Sequence, residues 1–338
     1  MKVWALKDEF GVENLALEDR PSPDPGPGQL LLRMTAASLN FRDLLMIRGH
    51  YNPRQPLPLV PCSDGVGEVL AVGLGVTRFA VGDRVCPIFA QSWLGGGVER
   101  DTARSTLGGP LDGTLQQMLV VHEQAAVAAP AHLSDAEAAC LPCAGVTAWR
   151  ALVTDGGVKA GDTVLTLGTG GVSLFAVQIG TMLGARVLVT SSRDGKLARA
   201  RELGAVHGIN YRRTPEWGRA VSVWTGSRGV DLVVELGGAG TLDQSLRAVR
   251  VGGTIALIGV LAGVKAEIPL TRVLMRGVRI QGILVGHRQD FEALNRALAA
   301  HPDVKPVVDR TFAFDEVPEA LDYLSQGVHM GKVVIAMK

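Results

Sequence analysis

The chain is short of cysteine, nearly balanced in charge, and without an apolar run that reads as a membrane segment. Four cysteines, at 62, 86, 140 and 143, do not make a disulfide framework in 338 residues. A formal net charge of +1 removes the electrostatic case for nucleic acid or an anionic membrane as a general partner. The opening residues, MKVWALKDEF, lack the basic start, apolar run and small-residue cleavage site of a secretory leader. One stretch tests the absence of membrane spans. VLTLGTGGVSLFAVQIGTML, residues 164–183, has no charged residue and is long enough to cross a bilayer. Its glycines, Gly168, Gly170 and Gly171, follow a short β-favouring run and precede an amphipathic segment, so the expectation is strand, tight turn and helix. The chain reads as cytoplasmic, with no nucleic-acid and no membrane partner.

What is present divides into two textures. The first 125 residues are rich in Gly and Pro and in short β-like runs such as GQLLLRMTAAS and GDRVCPIFA, separated by turn clusters such as PSPDPGPG. From about residue 134, apolar β runs alternate with helical patterns: DTVLTLG, ARVLVTSS, VDLVVELG and GGTIALIG with helices between them. That alternation predicts an α/β fold with a doubly wound parallel sheet beside a mostly-β domain. The tail, KPVVDRTFAF through GKVVIAMK, resumes a β pattern around one helix and is expected to complete the first domain. The boundaries read as 1–126 with 300–338 for the β domain and 127–299 for the parallel-sheet domain. Cys140 and Cys143 form a lone CxxC, and LSDAEAAC ahead of it reads as an N-cap and acidic first turn from Ser134. Packing cysteines on a helix are the expectation there.

A dinucleotide site needs a Gly-rich turn where the backbone approaches a pyrophosphate and a helix N-terminus stabilises its charge. The turn here is Gly168-Thr169-Gly170-Gly171-Val172-Ser173, with serine in place of the third glycine of G-x-G-x-x-G. The end of the next strand selects the cofactor. Thr190, Ser191, Ser192, Arg193 and Lys196 offer hydroxyls and two cations, with no carboxylate until Asp194. These suit the extra phosphate of NADPH, which carries about −1.5 to −2 charges. Surface charge at a helix start is the alternative reading of Arg193 and Lys196.

With these residues in place, the sequence resembles the medium-chain dehydrogenase/reductase superfamily, in its zinc-free quinone-oxidoreductase-like branch. The resemblance spans essentially the whole chain. It is carried by ASLNFRDLLMIRGHY (37–51), PCSDGVGEVLAVGLGVTRFAVGDRV (61–85), GPLDGTLQQMLVV (109–121), LPCAGVTAW (141–149), GTGGVS and LGAVHGINY (203–211). It implies a GroES-like mostly-β catalytic domain, a Rossmann domain, a cleft between them for nicotinamide and substrate, and a homodimer. It places Asn40 and Tyr51 beside nicotinamide and substrate, and Thr147 near the nicotinamide ribose. Lys196 and Tyr211 match positions that hold the adenosine phosphate. Gly237 and Ile258-Gly259-Val260 match strand ends lining the cofactor, and Ile283, Leu284 and Val285 a strand that meets the carboxamide.

Zinc-using members of this fold employ a Cys, a His-Glu pair and a later Cys. Those positions here hold Asn40, Ser63-Asp64 and Cys143, and residues 88–113 contain none of the four cysteines of a structural zinc lobe. A catalytic zinc needs three protein ligands, so no zinc is expected. The expected activity is NADPH-dependent, metal-free reduction of an activated alkene or quinone. Asn40 would orient the substrate, Tyr51 would relay a proton, and Asp43 would fix the loop. The rivals are a zinc-free alcohol dehydrogenase or carbonyl reductase, and a cofactor-binding protein with little activity.

Overall fold

A computed structural model describes residues 1–337. Two compact units divide the chain. One comprises Met1–Val146 with the segment from Gly286 onward; the other is Thr147–Val285. These boundaries lie about 20 residues after the expected 126/127 and about 14 before the expected 299/300. The reason is packing. The strand Ala126–Ala128 pairs with Arg84–Pro87, and Arg84 donates to Leu133 O (3.0 Å) and Asp135 Oδ1 (2.6 Å). Helix Arg288–Ala300 is held by Asn295 Nδ2 donating to Ala128 O (2.8 Å) and Arg288 N donating to Trp93 O (3.0 Å). Local composition registers where helices begin, not which sheet they cover.

The unit Thr147–Val285 is built on six parallel strands. Across the sheet they run His207–Asn210, Arg186–Ser191, Thr163–Leu167, Val230–Glu235, Val249–Leu257 and Arg279–Gly282. Thr163–Leu167 and Val230–Glu235 are buried at every position. Strands covered on both faces read as continuous apolar runs because neither side meets water. Leu165, Leu188, Val233 and Ile255 form the core, each contributing about 1.5–3 kcal/mol. The uncharged stretch 164–183 resolves into the strand ending at Leu167 and helix Gly171–Met182. Among the described residues, no helix is long and apolar enough to cross a membrane.

The first unit centres on a seven-stranded sheet. Its path is Val308–Ala313, Lys332–Ala336, Gln29–Leu39, Asp64–Val72, Arg84–Pro87 and Ala126–Ala128, with Met118–His122 also paired to Gln29–Leu39. Lys2–Leu6 and Leu15–Asp19 form a separate antiparallel pair. The C-terminal tail therefore returns into this sheet. Val333 lies opposite Leu39 in an antiparallel register, which sets Lys332 at the end of Gln29–Leu39, where Asn40 begins the helix Phe41–Ile47.

Candidate active site

All the residues read as cofactor-binding fall in Thr147–Val285, and nearly all stand at or just beyond the carboxyl ends of its parallel strands. That edge of a doubly wound sheet is where ligands bind, because the strand ends and helix N-termini face one crevice. At the first strand, Gly168 has φ +78°, a left-handed conformation that a side chain disfavours. A methyl group built on Gly170 meets no atom within 4 Å, so open space lies above the helix start. Leu174 N makes the first helical bond, to Gly170 O (3.0 Å), leaving the amides of Gly171, Val172 and Ser173 ahead of it. Ser173, in the position of the missing glycine, is buried and donates to Leu167 O (2.7 Å), tying helix to strand.

At the second strand end Ser191 is buried, Ser192 and Lys196 are half-buried, and Arg193 is exposed. Tyr211 N donates to Ser191 O (3.1 Å), which brings Tyr211 to the same place. Asp194, the one carboxylate here, accepts from Asn210 Nδ2 (2.7 Å) and pairs with Arg213 (2.8 Å). Arg213 was not among the sequence candidates. Its signal was the pair Arg212-Arg213 directly after Tyr211.

A further residue missed in the sequence is Glu235. It is fully buried, and its carboxylate accepts from Gly237 N (2.8 Å), Gly238 N (3.1 Å), Thr241 Oγ1 (2.5 Å) and Ser245 Oγ. Its backbone oxygen accepts from Ile258 N (2.9 Å) and Gly259 N (3.2 Å). One residue thus shapes two turns, the first through its side chain and the second through its backbone; a charge ending the apolar run VDLVVELG was the available clue. Val260 is exposed. Ile283 N donates to Leu257 O (2.9 Å); Ile283 and Val285 are buried, with Leu284 between them more open. Thr147 is buried.

The other unit carries Asn40 and Tyr51. Asn40 is half-buried at the start of helix Phe41–Ile47. Its backbone N–H donates to Asp43 Oδ2 (2.8 Å), so Asp43 fixes this corner. Asn40 Nδ2 donates to Ser63 Oγ (3.4 Å), Ser63 Oγ donates to Asp64 Oδ1 (2.9 Å), and Cys143 N donates to Asp64 Oδ2 (3.2 Å). The structure therefore gathers the four positions where zinc-using members keep their ligands. It adds Lys332, buried, whose ammonium donates to Leu39 O (2.6 Å) and to Asn40 Oδ1. Burial pushes the Asp64 carboxyl up to about 6, against the field of Lys332, and also raises Asp43. Among the described residues, no three His, Cys, Asp or Glu side chains converge as a metal-holding group.

Tyr51 is not in this hydrogen-bonded cluster. It is 46% exposed, and its ring lies 5.0 Å from the Arg42 guanidinium. Arg42 also faces Phe89 (4.9 Å) and donates to Leu107 O (2.8 Å) and Gly109 O (3.1 Å). His50 is exposed. The CxxC resolves into a buried Cys140, whose Sγ contacts Ala136 O (3.1 Å), and a half-buried Cys143. Ser134 caps the preceding helix, receiving Glu137 N (3.3 Å). Burial raises the Cys140 thiol to about 11, which suits a packing residue.

Comparison with known proteins agrees with this fold. Residues 26–131 match the alcohol dehydrogenase GroES-like domain family, and residues 171–300 the zinc-binding dehydrogenase family. The chain is 41% identical to a zinc-type alcohol dehydrogenase-like protein of Schizosaccharomyces pombe, over 98% of each chain. It is 31% identical to an acryloyl-coenzyme A reductase of Metallosphaera sedula, over 93% of each. A mycobacterial protein solved in complex with NADPH superposes with a TM-score of 0.84 at 27% identity, covering all of both chains. The chain belongs to the medium-chain dehydrogenase/reductase superfamily, an oxidoreductase with a GroES-like domain and a Rossmann domain.

Proposed function

We propose that the protein is an NADPH-dependent reductase of activated alkenes or quinones that works without zinc. The observation that carries this reading is the polar cluster around Asn40, where Asn40, Ser63, Asp64 and Cys143 stand at the zinc-ligand positions and the Lys332 ammonium lies on Asn40 Oδ1. The donor set does not fit zinc. Asn40 Oδ1 and both Asp64 oxygens already accept hydrogen bonds, and a buried ammonium sits among them, where it repels a dication. No step is routed through a metal.

The residues do fit NADPH. The Gly168–Val172 turn and the helix N-terminus suit its pyrophosphate; Ser191, Ser192, Arg193, Lys196 and Tyr211 suit its adenosine phosphate. Gly237, the Ile258–Val260 turn, Thr147 and Ile283–Val285 line the remainder. Bound there, NADPH supplies hydride. Asn40 Nδ2 and the Tyr51 hydroxyl then serve as donors to the substrate oxygen. Both are neutral. Neutral donors match the delocalised charge of an enolate or a hydroquinone anion, whereas a localised alkoxide calls for a metal or a dedicated acid. Tyr51 passes a proton to that oxygen, a role that its openness to water supports.

Reduction of plain ketones is the rival reading, favoured by the name of the Schizosaccharomyces pombe relative, a zinc-type alcohol dehydrogenase-like protein. Product analysis with an enone decides: a saturated carbonyl supports the proposal, an allylic alcohol supports the rival. A second copy of the chain is the proposed partner. Leu270, Leu274 and Met275 are 72–79% exposed beside the edge strand Arg279–Gly282, an apolar face that supports self-association. Light scattering tests this; a monomer at micromolar concentration would refute it.

A further inference from the structure

In the reading above Lys332 only disfavours a metal and has no part in the reduction itself. It is 4% exposed, and lysine is seldom buried unless paired. Its ammonium donates to Leu39 O (2.6 Å) and to Asn40 Oδ1. The antiparallel register of Lys332–Ala336 on Gln29–Leu39 sets it there, 292 residues from Asn40 in sequence. Two buried carboxylates, Asp43 and Asp64, feel its field, as do the thiols of buried Cys140 and half-buried Cys143. Arg42, 3.5 Å from Asp43, is the second cation of the corner.

The ammonium group only donates. The Asn40 atom facing it must therefore be the carbonyl oxygen, which fixes the orientation of the carboxamide. Nδ2 is then turned away as a donor. Its bond to Ser63 Oγ, at 3.4 Å, is long, so its donor capacity is not spent there. A cation on the oxygen of an amide also draws electron density from the nitrogen and strengthens N–H donation in a chain of hydrogen bonds.

We propose that Lys332 is a positioning residue that locks and polarises the Asn40 carboxamide, so that Nδ2–H binds the developing oxyanion of the substrate in place of a Lewis acid. The inference rests on the assignment of Asn40 to the substrate oxygen. It goes beyond it by naming the group that makes a neutral amide an adequate donor. A lysine serving only to hold the sheet together would leave the amide's orientation and donor strength unaltered.

The experiment is a double-mutant cycle with chemical rescue, run with NADPH and an enone. K332A is expected to lower kcat about tenfold or more, short of the loss from deleting an oxyanion donor outright, with KM for NADPH within about twofold. N40A lowers kcat at least as much, and K332A/N40A is no slower than N40A alone, because Lys332 acts through Asn40. Methylammonium restores K332A but not N40A, while tetramethylammonium, which cannot donate, restores neither. K332R recovers part of the rate. Independent losses in the double variant, or no response to methylammonium, would overturn the proposal.

A second measurement needs no variant and no turnover. In selectively 15N-asparagine-labelled wild-type protein, the Asn40 side-chain amide protons should resonate downfield of exposed carboxamides. An ordinary position would overturn the proposal even if K332A failed to fold. If the wild-type protein reduces no enone or quinone, the functional reading fails, while this resonance still reports the Lys332–Asn40 bond.

Discussion

Replacing Arg193 and Lys196 together by alanine should weaken NADPH binding and leave NADH binding nearly unchanged. Arg193 is the residue before helix Asp194–Glu202, in an extended conformation (φ −131°, ψ 128°), and Lys196 lies within the first turn. Cations gain nothing from a helix N-terminus by themselves, so an anion is expected between them. Asp194, at the same helix start, accepts from Asn210 at 2.7 Å and pairs with Arg213 at 2.8 Å. Hydrogen bonds between charged groups contribute about 1.5–3 kcal/mol each. The lower end, for two of them, sums to about 3 kcal/mol, or about a hundredfold. Arg193 is exposed, and screening of exposed pairs reduces that to about tenfold or somewhat more. R213A should act in the same direction by a different route, releasing Asp194 to repel the phosphate. Quenching of tryptophan fluorescence, titrated with each cofactor, gives the dissociation constants. Equal affinities for NADPH and NADH in the wild-type protein, or a double variant that loses both equally, would refute the assignment.

Three further outcomes follow from the site. Asp64 titrates near 6 when folded against about 3.8 unfolded, so the native state holds the proton more tightly. Its contribution is therefore full below about pH 4 and is lost as pH rises through 6, by about 3 kcal/mol; D64N should abolish that part of the pH dependence in denaturant titrations, and an unchanged slope would count against it. Y51F should lower turnover more than it weakens NADPH binding, measured as separate kcat and Kd; equal effects on both would remove Tyr51 from proton transfer. Purified protein should hold well under one zinc per chain by elemental analysis and keep its activity in a strong chelator, and stoichiometric zinc with chelator-sensitive turnover would reverse the metal-free reading.

The parallel-sheet fold was legible because burial on both faces writes itself into each strand as an uninterrupted apolar run, as in TVLTL and VDLVVE. The turn between strand and helix was legible because Gly168 must take a positive φ. Domain boundaries were less so: residues 127–146 and 286–299 look like parts of an alternating helix pattern but pack on the β unit. The charged groups of the site were least visible. In GKVVIA, Lys332 looks like a solvated strand start, and its burial depends on a register with Leu39 that local pattern cannot reveal. Glu235 was hidden for a related reason, since its donors at Gly237, Gly238, Thr241 and Ser245 come from a turn and helix that form only once the strand is in place.

The central claim is that hydride reaches the β-carbon of an activated alkene with no metal on the carbonyl oxygen. The most direct test incubates chelator-treated protein with an α,β-unsaturated ketone and NADPH deuterated at the transferred position, then locates the label by mass spectrometry and NMR. The account predicts a saturated ketone carrying one deuterium at the β-carbon, formed at the rate of the untreated protein. Deuterium on the carbinol carbon of an allylic alcohol, or turnover that appears only when zinc is restored, would contradict it.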